Sequence, residues 1–455
     1  MCKTEGVYSQ FKPMIVIDSK PIPPINIGSS FKYLGKMFNF EMDNELIKND
    51  LTQKISSILR TTSSLKATVN CKLKILRSYL PSQVNFDLQI YDLSPCWVTS
   101  HIDAMIVNTV RDWLRMPVSS CVAEVLFLPL AKGGLGVPSL RQSMEKLRML
   151  VRCHLKYHPS SALRDIWSLT SAQNVPSDWR LVNQDLKAAK NQITNEYIDS
   201  NLSHLSQLQI QGAALNELNT SVPKNEICRW SKILLELPDS TLRFARKAIL
   251  SQLPTASNLH RWGRSLVSTC PLCSGIQTNK HVFSNCSSSN TLKRYTSRHN
   301  QVLLIIHKWL TSSITGTNFK ILTDLNNSVT CNENQVFKSF RPDVVILDGS
   351  KSITTLELTV CHETNIKLAR ERKTAKYRNL FSDLHDKYSN YTLKQFFIEV
   401  SVLGIISDLS EFIKSFKINP IPDSVKHEIT ALTIKSSQRI YWLRNSNEDV
   451  NIEIF

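Results

Sequence analysis

The sequence predicts a multidomain protein, mainly α, that closes in a small α/β unit, and three observations carry that expectation. Only 12 of the 455 residues are glycine, well below the usual ~7%, which disfavours a glycine-rich all-β chain. From about Asn44 to Lys156 apolar residues recur at 3/4 spacing, as in LIKNDLTQKISSILRTTSSLK and LKILRSYLPSQVNFDLQI, the pattern of amphipathic helices. From Gln335 onward it becomes strand, turn, strand, helix, strand, helix. At roughly 150 residues per domain the length predicts about three domains, and 42% hydrophobic content can fill a core in each.

In chain order, residues 12 to 40 alternate apolar and polar groups around Pro and Gly and predict short strands with hairpin turns. The helical tract that follows is broken at Lys132-Gly133-Gly134-Leu135-Gly136-Val137-Pro138. A dinucleotide loop would need glycine at position 139, where Ser139 stands, and no strand clearly precedes it, so a structural turn between helices is the better reading. Residues 159 to 220 are polar and Ser/Asn/Gln-rich, a connector with helical stretches, and another helical piece runs to Leu253.

Lys plus Arg number 55 against 38 Asp plus Glu, a formal charge of +17, which favours a polyanionic partner, nucleic acid or an anionic membrane. The most apolar stretch, PVSSCVAEVLFLPLA, is short and carries Glu124, so no membrane span is expected. The first residues, MCKTEGVYSQ, lack the basic and apolar regions of a signal peptide, and 11 cysteines are a weak disulfide framework for this length. An intracellular, reducing compartment is expected, with the sequons at Asn201 and Asn390 arising by chance. Neither a Gly-x-Ser-x-Gly elbow nor a Gly-Lys-Ser/Thr phosphate loop occurs.

Cys270, Cys273, His281 and Cys286 form C-x₂-C-x₇-H-x₄-C. Three thiolates and an imidazole suit a closed, structural Zn²⁺ site; the plainer alternative is free thiols in a small loop. Lys280, Lys293, Arg294 and Arg298 lie in or just after the cluster and fit either a nucleic-acid-contacting knuckle or a solvated surface. The other cysteines, Cys71, Cys96, Cys121 and Cys153 among them, show no paired spacing and are expected to be small buried hydrophobes.

SFRPDVVILDGSKSITTLELTV reads as a β-hairpin. With Gly349 to Lys351 as the loop and Ser350 at its centre, Asp343 and Glu357 fall opposite each other on one face. Two carboxylates so placed repel unless a cation sits between them, and their oxygens suit Mg²⁺ or Mn²⁺; on a solvent-exposed face neither would matter. Asn365 to Leu384 predicts a helix. Stepping about 100° per residue sets Ile366, Ala369, Tyr377, Leu380 and Leu384 within about 40° of Lys373, with Lys376 about 60° away at the stripe's edge. An ammonium within the stripe needs anionic partners, for which the hairpin carboxylates are available, or it snorkels out. Two carboxylates, a metal and a lysine would make a hydrolytic phosphodiesterase site.

These residues together resemble the restriction-like-endonuclease class of non-LTR retrotransposon proteins. Phe31-Lys32-Tyr33-Leu34-Gly35 is similar to the primer-grip hairpin of the polymerase palm, and Gly133-Gly134-Leu135-Gly136 in its helical setting to the thumb and the linker after it. Leu253-Pro254-Thr255, Asn258-Leu259 and Arg261-Trp262 lead into the CCHC knuckle as in that family. Arg341-Pro342-Asp343, thirteen residues, Glu357-Leu358-Thr359, then Lys373-x-x-Lys376-Tyr377 resembles its variant of the PD-(D/E)xK nuclease signature. The resemblance implies a palm and primer-grip remnant over 1–42, a thumb-like helical domain over 43–158, a helical linker over 159–264, a zinc knuckle over 265–300 and a restriction-like endonuclease over 301–455. It implies Asp343 and Glu357 as magnesium ligands, Lys373 as catalytic lysine supported by Lys376 and Tyr377, and Arg341 near the DNA phosphate. Thr359 stands where standard PD-(D/E)xK nucleases keep lysine, and Cys361 where the family's strand is expected to end in proline, before Glu363.

The polymerase's Tyr/Phe-Ala-Asp-Asp turn occurs nowhere, so the resemblance is to the C-terminal half of such a polyprotein, from a truncated copy or an incomplete gene model, and polymerase activity is not expected. The expected function is metal-dependent nicking of target DNA to prime reverse transcription, in the nucleus, with target DNA and element RNA as partners and neither membrane nor small-molecule substrate. The alternative is a catalytically idle nucleic-acid-binding remnant.

Overall fold

The computed structural model describes every residue except 1, 5, 6, 10–13, 23, 26, 27, 34, 40–43, 172–184, 317, 326–340, 350 and 449–455. Leu34 of the FKYLG run, residues 335–340 at the head of the expected α/β unit, and Ser350 of the hairpin loop thus lie outside the described residues. The described chain is mostly helical with a small mixed sheet near its C-terminal end. No helix among the described residues is long and apolar enough to cross a membrane.

Two compact units divide the chain and interleave along it: Met1–Leu65, Ile75–Ile106 and Pro138–Thr194 form the first, and Lys66–Lys74, Val107–Val137 and Asn195–Phe455 the second. The expected knuckle boundary at 300 falls inside a helix that runs unbroken from Ser289 to Ser313. Arg294 and Arg298 are buried in its first half and Val302, Ile306 and Trp309 in its second.

In the first unit β3 (Ile15–Ile17) pairs with β4 (Lys20–Ile22) and β5 (Phe31–Tyr33) with β6 (Lys36–Phe38), within the span where hairpins are expected, and β1 (Cys2–Thr4) pairs with β2 (Val7–Ser9) ahead of it. Asp18 and Ser19 both take positive φ, the turn that matches strand twist. Helix α1 (Glu45–Ser64) buries Leu51, Ile55 and Leu59 at helical spacing. Helix α2 (Val69–Ile90) buries Leu76, Leu80, Val84 and Leu88. The Lys36 ammonium pairs with the buried Asp87 carboxylate, and the Tyr91 hydroxyl donates to the Met37 carbonyl at 3.3 Å, tying β6 to the helical part.

In the second unit the residues after helix α3 (Ala104–Leu114) and helix α4 (Val122–Phe127) make the glycine-bearing turn. Gly133 and Gly136 have φ of +79° and +64°. A Cβ on Gly134 would stand 2.0 Å from the Leu128 carbonyl oxygen. The Gly133 and Gly134 carbonyls accept from the buried Arg246 guanidinium at 2.7 and 3.3 Å. The carbonyls are thus spent on a protein cation, which is what a structural turn requires.

The four-stranded sheet has the order β10-β9-β8-β7, with β7 (Phe319–Thr323), β8 (Val344–Asp348) and β9 (Ser352–Cys361) antiparallel and β10 (Thr392–Ser401) parallel to β9. Helix α5 (Ser289–Ser313) covers one face, where Val302, Ile306 and Trp309 pack with Val344, Ile346, Leu356 and Leu358. Helix α6 (Ile366–Lys387) crosses over to β10 and packs Tyr377, Leu380 and Leu384 on the other face with Val345 and Ile353. Each strand alternates between these two cores, so its odd- and even-numbered positions answer to different helices. Strand β7 and helix α5 belong to this unit although the expected pattern began at Gln335. A Gly134→Ala variant is expected to lose about 3 kcal/mol, the upper end for overpacking a closed site, read as a lowered denaturant midpoint at unchanged slope.

Candidate functional site

The cysteine cluster is held on a short loop and one turn of irregular helix. Thr269 and Ile276 bridge, Cys270 N–H donates to Gly275 O at 2.7 Å, and Ser274 takes φ +60°. Gly275 leaves room for the His281 ring, which a Cβ there would approach to 3.1 Å. The π-helical turn His281–Asn285 returns the chain to Cys286. The Tyr295 hydroxyl lies 3.0 and 2.7 Å from the His281 and Val282 carbonyls and accepts from Cys286 N–H at 3.3 Å.

Ligand atoms of Cys270, Cys273, His281 and Cys286 all lie within 4.8 Å of one another. Cys270 and Cys286 Sγ are 4.0 Å apart, Cys273 and Cys286 Sγ 3.6 Å, and Cys273 Sγ stands 3.3 Å from His281 Nε2. Ligands about 2.3 Å from a tetrahedral Zn²⁺ stand roughly 3.8 Å from each other, so the four fit that ion and leave it no open position. Burial holds the His281 ring below its ordinary pKa, in the neutral form a ligand needs. Burial works against ionising Cys273, yet the backbone amides of Gly275 and Ser287 and the neighbouring thiols hold that thiol below its usual range. The cluster is a structural zinc site.

The preceding Leu253-Pro254-Thr255 run supports it. Thr255 caps the short helix Ala256–Arg261 through Asn258 N–H, and the Asn258 amide donates to the Ser251 and Leu253 carbonyls at 2.8 and 2.7 Å. Gln277 joins this cap to the knuckle, accepting from Ala256 N–H at 2.9 Å.

The basic residues around the cluster separate into two kinds. Arg294 is 3% exposed and donates to the Leu443, Ser446 and Glu448 carbonyls at 2.7 to 2.8 Å. Arg298, 1% exposed, donates to the Phe283 carbonyl and Ser437 Oγ at 2.8 and 2.9 Å. Neither guanidinium faces a ligand, which corrects the assignment of Arg294 to nucleic-acid contact and the same suggestion for Arg298. Most of their partners, Leu443, Ser446, Glu448 and Ser437, lie 139 to 154 residues away, a demand no local pattern reveals. Lys293 is exposed and Lys280 half-buried. Cys121 and Cys153 are buried as expected, but Cys71 and Cys96 are exposed, because they fall on the outer faces of their helices.

The second constellation stands on the sheet. The β8–β9 register pairs Val344 with Leu356 and Asp348 with Ser352; one residue further, Asp343 faces Glu357. Asp343 Oδ2 accepts from Leu358 N–H at 2.9 Å, and Glu357 Oε1 lies 3.3 Å from Asp343 N. Lys373 Nζ comes down from α6 to 2.7 Å from Glu357 Oε2 and 3.5 Å from Asp343 Oδ2. Lys376 is exposed, with its Nζ 3.3 Å from the Tyr377 hydroxyl, which in turn donates to the Arg341 carbonyl at 3.1 Å. The Arg341 guanidinium, 42% exposed, pairs with Asp324 at 2.7 Å.

Burial, reinforced by the Asp343 charge, pushes Glu357 up to about 7. Burial opposes ionising Asp343 too, but His299 and Lys373 hold it below the usual carboxylate range. Lys373 is held above its ordinary value by the two carboxylates against the effect of burial.

Two participants carry no sequence signal. His299 on α5 brings Nε2 to 3.5 Å from Asp343 Oδ1, across an interval that spacing cannot bridge. Arg370 makes a bidentate pair with the buried Glu399 at 2.9 and 2.7 Å, one turn before Lys373 on the same helix. Cys361 closes β9 opposite Ser401, and Glu363 is buried, accepting from Leu403 N–H at 3.0 Å.

Residues 217–292, which include the whole cysteine cluster, match the family described as zinc-binding in reverse transcriptase. The chain is similar to the retrovirus-related Pol polyprotein from the type-2 retrotransposable element R2DM of Drosophila melanogaster, 24% identical over 319 residues, covering 68% of this chain and 29% of that protein. It is also similar to the retrovirus-related Pol polyprotein from the type-1 retrotransposable element R2 of Bradysia coprophila, 23% identical over 206 residues, 39% of this chain and 23% of that one. The chain therefore spans less than a third of either curated relative. Cys273→Ser is expected to release one zinc equivalent per chain by elemental analysis and to open residues around 268 to 290 to protease, while Cys71→Ser leaves the zinc content unchanged.

Proposed function

We propose that this chain binds nucleic acid and that its second unit is a metal-dependent DNA endonuclease, acting in the nucleus on the target DNA of a retrotransposon. The observation that carries the reading is one ammonium, Lys373, set between two buried carboxylates on adjacent strands, 2.7 Å from Glu357 and 3.5 Å from Asp343. The two carboxylates share one ammonium and one imidazole in a buried site, where a further cation would favour the ionised form of both. Their oxygens, fixed by strand backbone, fit a hard cation such as Mg²⁺ or Mn²⁺. Asp343 and Glu357 would hold that ion, which when bound polarises a phosphate and lowers the pKa of water.

The chain's own groups would do the rest. Lys373 would orient the attacking water or stabilise the charge that develops on phosphorus. Tyr377, 1% exposed and hydrogen-bonded to the Arg341 carbonyl, would hold the ring over which Lys373 passes, its Nζ 5.9 Å from the centroid. Lys376 would support from the rim, and His299 would keep the Asp343 carboxyl in its rotamer. Arg341, Lys280 and Lys293 would face backbone phosphates of target DNA or element RNA. The similarity to Pol polyproteins supports a nick whose 3′-hydroxyl primes reverse transcription.

The test is relaxation of supercoiled plasmid by the purified chain with Mg²⁺ or Mn²⁺. Glu357→Ala is expected to abolish nicking and Lys373→Met to slow it on the order of 10²-fold or more, whereas Lys376→Met costs less than either. Nicking that survives Glu357→Ala would overturn the site, and binding without nicking by the unaltered chain would leave the idle, nucleic-acid-binding reading.

A further inference from the structure

We propose that Arg115, Arg243 and Lys247, with Lys72 beside them, form a separate binding site for the phosphodiester backbone of nucleic acid, sharing no residue with the zinc cluster or the carboxylate pair. The proposal rests on the nucleic-acid reading above and adds the place where the backbone is gripped.

All four residues belong to the second unit. Arg243 and Lys247 are four apart on the helix Asp239–Ile249 and so share a face. Arg243 Nε donates to the Trp113 carbonyl at 2.8 Å, which ties that face to the end of α3. Arg115 lies two residues beyond Trp113, exposed, with φ +52°. Its N–H donates to Asp112 O and the next, Met116 N–H, to Arg111 O, each at 3.0 Å, the helix closure that glycine usually supplies. An arginine held in that backbone conformation points to a use for its side chain. Lys72 Nζ stands 5.6 Å from the centroid of the Trp113 ring.

The nearby acids are fewer. Asp239 accepts from Val69 N–H at 3.0 Å and lies 3.6 Å from Arg243, and Asp112 is exposed in the turn before Arg115. Among the described residues neither the Arg115 guanidinium nor the Lys247 ammonium has a hydrogen-bond or ion-pair partner. The negative ends of the two helices favour a cation each, which accounts for Arg115 and Lys247 singly but not for their standing together beside Arg243. Burial, then the charges of Arg115 and Arg243, lower the Lys247 pKa, so the two guanidinium groups stand near enough to repel its ammonium. A phosphodiester chain supplies that counter-charge, and contacts of this kind fix position on the strand without reading bases.

The experiment measures binding of the full chain to a labelled DNA duplex and to an RNA hairpin over a range of salt concentrations. Arg115→Glu with Lys247→Glu is expected to weaken binding on the order of 10-fold or more and to flatten the salt slope by about 2. Lys224→Glu with Lys232→Glu, the same charge change on another exposed helix face, serves as comparison and is expected to do neither. The charge-keeping pair Arg115→Lys and Lys247→Arg should retain binding, and circular-dichroism melting checks that each variant folds. Loss on DNA and RNA alike supports a shared backbone site, and loss on one alone supports the site and names its strand. Equal losses for the two charge-reversed pairs overturn the site while leaving the functional reading intact; no binding by the unaltered chain overturns both.

Discussion

Two guanidinium groups taken out of water on one helix organise the second unit. Burying Arg294 and Arg298 without partners would cost several kcal/mol each, and backbone carbonyls of the residues after the C-terminal helix Asp423–Trp442, Ser437 within it, and Phe283 of the zinc turn offset that cost. Burial still pushes Arg298 down to about 10. The same helix then presents Val302, Ile306 and Trp309 to the sheet. Knuckle, sheet and C-terminal helix are therefore fastened to one rod, and the metal is part of that fastening, because the Phe283 carbonyl lies between two of its ligands in sequence.

The carboxylate site obeys the opposite rule. Where the two guanidinium groups together donate five hydrogen bonds to fixed protein oxygens, Asp343 and Glu357 share one lysine, a histidine at 3.5 Å and two backbone amides. A structural pair would be closed like Arg370 and Glu399, bidentate and complete. The contrast between the two arrangements, one turn of α6 apart, distinguishes a group kept for stability from a group kept available.

What was legible in the sequence was what chemistry makes local. Zinc ligands betray themselves because a short loop must bring thiolates together, and Lys373 stands out from Lys376 because a helical stripe has a centre and an edge. The hairpin register followed from a three-residue loop. Arg294 and Arg298 read as candidate nucleic-acid contacts because the partners that consume them lie 149 and 139 residues away. His299, strand β7 and the interleaving of the two units were hidden for the same reason: each depends on packing between segments whose spacing carries no period. Cys71 and Cys96 show the converse, since residue type alone does not say which face of a helix is turned inward.

The hairpin loop also sets a condition on the carboxylate pair. Asp343 and Glu357 meet because Gly349 to Lys351 contribute three residues and no more, with Asp348 paired to Ser352. Side chains alternate between faces, so an in-frame loss or gain of a single codon in that loop would slide one carboxylate to the other side of the sheet while leaving every codon for the acids and the lysine in place. The number of residues between the two acids therefore fixes their meeting as firmly as the acids themselves do.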